Sequence, residues 1–245
     1  MAGVTLHARI IENTATDGRD QSHLNVHHFS RSAAIPDRTE YLLGRIPENP
    51  AGGMAEVFAR AWRSLGEPAE PAVGGIPCNT FHAPEIFDAF RSALLKTGNP
   101  IKMLHMLDET MDFIATIFPA VRKPGLLVTT GTRKTGLYPR LLRRSGLEAL
   151  ELPEALQERL QEGIYHREWG LKAASPVTEL AKERVRSMAR RLAEDGADAI
   201  ILGCTELPLA LTGRDFEGIP LIDPLTALAR ALIRETAPHT LKEYV

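Results

Sequence analysis

Apolar residues recur along most of the chain with one of two periods. Spacings of three and four residues predict helices, most clearly between Val177 and Leu192. Short continuous apolar runs, such as 198–203, predict buried strands of the parallel type. Because helices and strands of these lengths alternate, the pattern predicts βαβ units. The expected fold class is therefore α/β with mainly parallel sheets.

Turn residues predict where several of these elements begin and end. Ser175 is the predicted N-cap of the helix that contains Val177, with Pro176 at its first position, and Gly196 is its predicted end. Asp223-Pro224 predicts the start of a last helix, through Ile233. The remaining predictions are strands at 24–29, 103–107, 125–130 and 219–222, and helices at 4–12, 54–65, 86–95, 108–121 and 131–142.

The predicted elements fall into two α/β halves, with the boundary near Asn99-Pro100. The first half is expected to comprise 1–99, joined by 214–245 because the last helix can pack back on it. The second half is then 100–213.

Composition and charge exclude several classes of protein. The 245 residues carry 29 Lys and Arg against 31 Asp and Glu, and no dense basic run, so we expect no nucleic-acid partner. No apolar stretch is long enough for a membrane span, so no membrane partner is expected either. The first residues lack the apolar segment of a secretory signal, which favours a cytoplasmic location.

Two cysteines occupy equivalent places in the predicted pattern. Cys78 and Cys204 each follow a predicted strand and precede a predicted helix, with short polar residues directly after them. In open α/β sheets ligands bind at the carboxyl ends of strands, and a helix amino terminus is expected to lower the pKa of a nearby thiol. A cysteine on each side of one substrate carbon can remove a proton from one face and return one to the other, which is racemisation without a cofactor. The alternative reading of each cysteine alone is a small buried apolar residue. A disulfide between them is disfavoured in a cytoplasmic chain.

The segments around both cysteines resemble the signature motifs of the aspartate/glutamate racemase family. They read Gly-Ile-Pro-Cys-Asn-Thr-Phe-His at 75–82 and Leu-Gly-Cys-Thr-Glu-Leu-Pro-Leu at 202–209, and further agreements lie at 20–23, 35–39, 130–138 and 222–224. The resemblance implies two Rossmann-like halves in pseudo-twofold relation with an active site between them. It also implies no cofactor, an amino-acid or dicarboxylate substrate, and a homodimer.

By the same resemblance, Cys78 and Cys204 are the acid/base pair. The residues expected to line the site beside them are Asn79, Thr80, Thr205 and Glu206. A racemase must hold the developing carbanion with preorganised donors, and the hydroxyl of Thr132 is a candidate. Arg38 is the first choice for a second substrate carboxylate, because a guanidinium forms two parallel hydrogen bonds to it. Lys172 is a candidate by resemblance alone, and a surface side chain is its alternative reading. No spacing predicts a metal site.

Two departures leave alternatives open. The first strand and glycine turn that open the family's chains have no counterpart here, so the first half is expected to lack that strand. The residues before Ile35-Pro36 are Ser32-Ala33-Ala34, where the family often has polar side chains. Two alternative reactions keep the same fold and both cysteines, those of a hydantoin racemase and of a maleate-type cis–trans isomerase. The short amino terminus adds a third alternative, a catalytically silent, amino-terminally truncated ligand-binding or interaction protein. His82 is open too: it either tunes Cys78 or has an orienting or capping role.

Overall fold

A computed structural model of the protein describes residues 1–65, 72–173 and 175–244. The chain folds into two compact units, Met1–Glu109 together with Leu225–Val245, and Thr110–Pro224. Each unit combines helices with parallel strands, which confirms the predicted α/β class. The predicted boundaries lay earlier in the chain, near residues 99 and 213. No helix within the described ranges is both long and apolar enough to cross a membrane.

The first unit contains a two-stranded parallel sheet, in which Gly75 lies opposite Leu104. Its elements are α1 (Ala2–Asn13), α2 (Arg38–Leu42), α3 (Pro50–Leu65), β1 (Val73–Gly75), α4 (Pro84–Lys96) and β2 (Lys102–Leu104). Phe81, Ile86 and Phe90 are fully buried in its core. The core therefore includes the turn that directly follows Cys78.

Two further helices lie where the chain passes between the two units. They are α5 (Met106–Ile117), which continues into the second unit, and α10 (Pro224–Thr236), which returns from it. A Cβ atom on Gly75 would lie 2.9 Å from Leu228 of α10. Because that distance is shorter than an ordinary carbon contact, a side chain here would displace the end of Leu228, and glycine leaves room for Leu228 beside β1.

The second unit is built on a five-stranded sheet in the order β4-β3-β5-β7-β6. All neighbouring strands are parallel except the pair β6 and β7. Its elements are β3 (Pro124–Val128), α6 (Thr130–Thr135), α7 (Leu137–Arg144), β4 (Leu150–Glu151), α8 (Glu154–Tyr165), α9 (Glu179–Glu194), β5 (Ala199–Gly203), β6 (Asp215–Phe216) and β7 (Ile219–Ile222). Every residue of β3 and β5 is buried, as their continuous apolar runs predict.

The strand order places a topological switch between β3 and β5. From β3 the chain moves outward to β4 on one side, and from β5 it moves outward to β7 on the other. Loops diverge at such a point and leave a crevice beyond the carboxyl ends of the two strands. Val128 and Gly203 are the paired last residues of these strands, so the segments after them border the crevice.

Three sequence predictions about local structure were wrong, and one helix was missed. Residues 24–29 form no strand, because an extended segment needs a hydrogen-bonded neighbour and the described chain offers it none. The strand predicted at 103–107 ends at Leu104. The helix expected to start after Ser175 begins at Glu179, because Thr178 caps it by accepting the Ala181 N–H at 3.2 Å. Helix α8 was not predicted.

Candidate active site

Cys204 is the first residue beyond β5 and is buried, with 5% of its surface exposed. The glycine before it is required by packing, since a Cβ on Gly203 would lie 2.5 Å from Val128 Cγ1 and 3.2 Å from Tyr138 Cε2. A short 3₁₀ turn, Leu207–Leu209, follows. The predicted arrangement, a cysteine between a parallel strand and a helical turn, is confirmed.

The sulfur of Cys204 has a specific polar partner. Its Sγ–H donates to Glu206 Oε2 at 3.1 Å, and the Thr205 hydroxyl donates to the same oxygen at 3.1 Å. The carboxylate of Glu206 thus accepts hydrogen bonds from both residues that precede it. The contact gives the Cys204 thiol an acceptor for its proton.

Lys172 lies beside this cluster. Its Nζ is 3.8 Å from Glu206 Oε2, and it donates to the Tyr165 hydroxyl at 3.1 Å. The same nitrogen is 4.2 Å from the centre of the Tyr165 ring. Lys172 has 29% of its side-chain surface exposed to solvent, and Glu206 and Tyr165 hold its ammonium group in place. The structure therefore brings together Cys204, Thr205, Glu206 and Lys172.

A tight turn delivers Lys172 to this place. The Leu171 and Lys172 N–H groups donate to the carbonyls of Gly163 and Ile164 in the last turn of α8, at 2.9 and 3.2 Å. A Cβ on Gly170 would lie 2.6 Å from the backbone N of His166 and 2.7 Å from its O. Since backbone atoms cannot move aside cheaply, the turn needs glycine there.

Electrostatics in the cluster favour a protonated thiol and a charged lysine. Burial, and then the Glu206 carboxylate, raise the pKa of Cys204 well above its ordinary value, although Lys172 acts in the opposite direction. Burial alone would lower the pKa of Lys172, but Cys204 and Glu206 outweigh it, and the net direction is upward. The expectation that a helix amino terminus lowers the thiol pKa is wrong for Cys204. The following turn has three residues, too few for a strong dipole.

The end of the neighbouring strand β3 carries a second polar group. Thr129 Oγ1 accepts the Thr132 N–H at 3.3 Å and lies 3.1 Å from Thr132 Oγ1, so it caps α6. Thr132 is buried, with 2% of its surface exposed. Gln161 of α8 accepts the Thr130 N–H at 2.9 Å. Because β3 and β5 are paired, this loop and Cys204 both follow the carboxyl ends of neighbouring strands.

In the first unit, Cys78 follows β1 at the end of the run Ile76-Pro77 and is partly buried. The 3₁₀ turn Asn79–His82 begins directly after it and leads into α4. Asn79 and Thr80 lie in that turn and are buried, with 3% and 7% exposed. The sequence prediction of a cysteine between a strand and a helical turn is confirmed here as well.

Arg38 is the first residue of α2, a helix that contacts the turn after Cys78. Asp37 caps this helix by accepting the Thr39 and Glu40 N–H groups at 2.8 and 3.0 Å. Arg38 is half-buried, and its Nη1 donates to the Pro36 carbonyl at 3.3 Å. The cap therefore fixes the start of the helix on which the guanidinium sits.

The sequence analysis gave no role to two residues near Cys204, Tyr165 and Tyr138. Tyr165 ends the unpredicted helix α8, whose Leu156, Leu160 and Ile164 recur every four residues, a signal that was present in the sequence. Tyr138 is 1% exposed, and burial, together with Asp223 and Cys204, raises its pKa well above the ordinary value. Tyr138 is the last residue of the 130–138 agreement with the family, but its proximity to Cys204 arises only from the fold.

The chain matches known proteins over most of its length. The family profile described as Asp/Glu/Hydantoin racemase matches residues 4–232. The chain belongs to the Asp/Glu/hydantoin racemase family. Membership of this family implies an isomerase. A glutamate racemase of Carboxydothermus hydrogenoformans is 26% identical over 217 residues, which are 84% of this chain and 74% of that protein.

Solved structures of racemases share the fold. The aspartate racemase of Picrophilus torridus is similar with a TM-score of 0.76 and 25% identity, over 96% of this chain and 88% of that one. The glutamate racemase of Francisella tularensis, solved in complex with D-glutamate, has a TM-score of 0.60 and 14% identity. That match covers 99% of this chain and 80% of the other, and at this identity it shows the fold alone.

Proposed function

We propose that the protein is a cofactor-independent amino-acid racemase that acts on aspartate, glutamate or a related acidic substrate, with Cys78 and Cys204 as its two acid/base groups. The observation that carries the proposal is the contact of the Cys204 thiol with Glu206, 3.1 Å away. It gives a cysteine at a strand end a proton acceptor within hydrogen-bond reach, as acid/base catalysis requires.

In the proposed reaction the Cys78 thiolate takes the α-proton, and the electron pair of the broken C–H bond remains on the substrate as an enolate-like carbanion. The Cys204 Sγ–H, protonated because of its burial and Glu206, donates its proton to the opposite face of that carbon. The reverse reaction starts from the state that this step leaves: the Cys204 thiolate takes the α-proton, and the Cys78 Sγ–H donates its proton to the opposite face. In the free enzyme, Glu206 is within reach to accept the Cys204 proton when this thiolate forms. The proposal requires both sulfur atoms to reach one α-carbon from opposite sides.

Positive charge supports an acidic substrate. The carbanion and two carboxylates of aspartate or glutamate need cations and hydrogen-bond donors. Lys172 supplies an ammonium group beside Cys204 and Glu206, and Arg38 supplies a guanidinium on the helix that contacts the Cys78 turn. Asn79, Thr80, Thr132 and Thr205 are the proposed further contacts to the substrate. The names of the similar proteins, aspartate racemase and glutamate racemase, agree with this class.

The test is a chirality assay in deuterium oxide over a panel of single enantiomers. We expect D- and L-aspartate or glutamate to interconvert and the product to carry deuterium on the α-carbon, without added metal or cofactor. If deuterium enters a hydantoin but no amino acid, the substrate is a hydantoin and the proposed substrate class is wrong. If maleate is isomerised and mass spectrometry detects a covalent adduct on one cysteine, the reaction is cis–trans isomerisation and not racemisation. If no compound of the panel changes, the proposal is overturned. Light scattering tests the expected homodimer separately.

A further inference from the structure

His82 lies where the loops after β1 and β2 meet, and it joins them. The residue is 1% exposed. Its Nδ1 is 2.9 Å from the Cys78 carbonyl oxygen, three residues beyond the end of β1. Its Nε2 accepts the Met106 N–H at 3.2 Å, at the first residue of α5. One buried imidazole therefore connects the cysteine turn to the helix that follows the neighbouring strand.

These two contacts assign the tautomer of the ring. Met106 N–H is a donor, so Nε2 must present a lone pair to it. The proton of a neutral imidazole then resides on Nδ1, where it is donated to the Cys78 carbonyl. A second proton on Nε2 would set two donors against each other in a buried place, which is costly.

The surroundings of the ring also oppose a charge. Phe87 stacks on it with ring centres 4.9 Å apart, and His105 meets it edge-on at 4.6 Å. Burial first, and then His105, lower the pKa of His82 to about 3, although the Cys78 carbonyl and Asp108 act in the opposite direction. His82 is therefore neutral at physiological pH and is not a proton acceptor for Cys78.

Within the residues that the structure describes, three hydrogen bonds hold the main chain of Cys78, and the contact with His82 is one of them. The Cys78 N–H donates to the Ile76 carbonyl at 2.8 Å, and its own carbonyl accepts the Phe81 N–H at 3.2 Å. Both of these bonds are local and move with the turn. Among these three contacts of the described chain, only the one with His82 reaches an element outside the turn, because the ring also binds Met106, 24 residues after His82.

We propose that His82 is a positioning residue, which as a neutral Nδ1–H tautomer fixes the main chain of Cys78 against the start of α5 and so sets where the sulfur points. The importance of this for turnover rests on the proposed function, in which Cys78 removes or returns the α-proton. A displacement of about 1 Å at a reacting group can lower a rate by about 10²-fold.

The tautomer is tested without substrate, by long-range proton–nitrogen correlation spectra of the protein labelled with ¹⁵N-histidine. The His82→Asn variant identifies the signal among those of the eight histidines. We expect a protonated Nδ1 and an unprotonated Nε2 throughout the range from about pH 5 to pH 8. A proton on Nε2, or a charge change within that range, would overturn the proposal.

The positioning role is tested by two matched variants, each of which keeps one of the two contacts. The amide of His82→Asn replaces Nδ1 and retains a donor for the Cys78 carbonyl, whereas that of His82→Gln replaces Nε2 and retains an acceptor for Met106. We expect kcat of His82→Gln to be about ten-fold or more below that of His82→Asn, with KM little changed. A merely structural role would lower the thermal stability of both but not separate their kcat values.

A second measurement keeps this test independent of racemase activity. In a Cys204→Ala background, Cys78 is the only cysteine, and its alkylation rate by iodoacetamide reports its placement. We expect His82→Gln to change this rate and His82→Asn to leave it nearer to that of the parent. His239→Asn is the control, because it makes the same change at an exposed histidine. Equal alkylation rates in the two His82 variants would overturn the positioning role, even if neither racemises anything.

Discussion

The turns that carry Cys78 and Cys204 share a backbone plan and differ in what lies beside them. Each cysteine follows a parallel strand and precedes a 3₁₀ turn. At Cys78 the main chain is held by an uncharged histidine, while at Cys204 the sulfur itself is held by a carboxylate with an ammonium nearby. The two turns thus have similar backbones but different electrostatics, because the pKa of a group depends on the residues that surround it in space.

Replacing either cysteine is expected to have the largest effect. Cys78→Ser and Cys204→Ser should each lower racemisation by about 10³-fold, since a hydroxyl is a far weaker acid than a thiol and is scarcely ionised at neutral pH. Each variant retains one base, so each should still exchange the α-proton of a single enantiomer, and the two should prefer opposite enantiomers. Deuterium incorporation into unreacted substrate measures this. Near wild-type racemisation by either variant would contradict the two-base assignment.

Removing the charge at Glu206 addresses the Cys204 side alone. Glu206→Gln keeps the shape and an acceptor but loses the carboxylate that raises the pKa of Cys204, so that pKa should fall toward its ordinary value. We expect kcat to decrease about 10- to 100-fold, because the amide cannot take the thiol proton. The basic limb of the rate–pH profile should move to lower pH.

Glu217→Gln is the control for this change, since Glu217 pairs with Arg190 at the protein surface. If the rate–pH profile of Glu206→Gln equals that of the wild type, Glu206 takes no part in catalysis.

Removing the charge at Lys172 is expected to affect substrate binding. With Lys172→Gln, KM for aspartate or glutamate should rise about ten-fold, because a hydrogen bond to a charged group contributes about 1.5–3 kcal/mol. Steady-state kinetics with both enantiomers measure the change. The control is Lys182→Gln, which removes a lysine paired with Glu179 on α9. If Lys172 holds only Glu206, kcat will fall and KM will not change.

Displacing the turn that carries Lys172 is expected to have a smaller effect. In Gly170→Ala the new Cβ meets the backbone of His166 at 2.6 Å, which should destabilise the protein by about 1–3 kcal/mol. Gly52→Ala is the matched control, because a Cβ there meets nothing within 4 Å and alanine favours a helix. Thermal unfolding distinguishes the two. Equal melting temperatures would contradict the tight turn.

The smallest expected effect is that of His82→Asn on the pH dependence of the free energy of unfolding. The pKa of His82 is lowered from 6.5 to about 3, so between these values the unfolded chain binds a proton that the folded protein does not. This contribution to stability is complete above pH 6.5 and is lost as the pH falls toward 3. In His82→Asn the free energy of unfolding should therefore depend less on pH in this window, by up to about one proton.

Urea unfolding at several pH values measures that slope. His239→Asn, at an exposed histidine, should leave it unchanged. A slope in His82→Asn equal to that of the wild type would mean that His82 is protonated in the folded protein.

Much of the second unit could be predicted from sequence because its signals are local. The continuous apolar runs of β3 and β5 predict buried parallel strands, and Gly196, with a φ of 92°, ends α9 as expected. Helix α8 was missed although Leu156, Leu160 and Ile164 follow a helical period. The strand predicted at 24–29 failed for a different reason, since polar alternation describes a possible strand but cannot supply its partner.

The sequence by itself determined which two cysteines stand at strand ends, because strand, turn and cysteine are neighbours along the chain. It also pointed to Glu206, two residues from Cys204. Only the tertiary structure decided that Lys172 and Tyr165 lie beside them, and that the pKa of Cys204 is raised rather than lowered. The reason is physical: burial and charge act through space, and residues distant in sequence meet only when the sheet and its loops have formed.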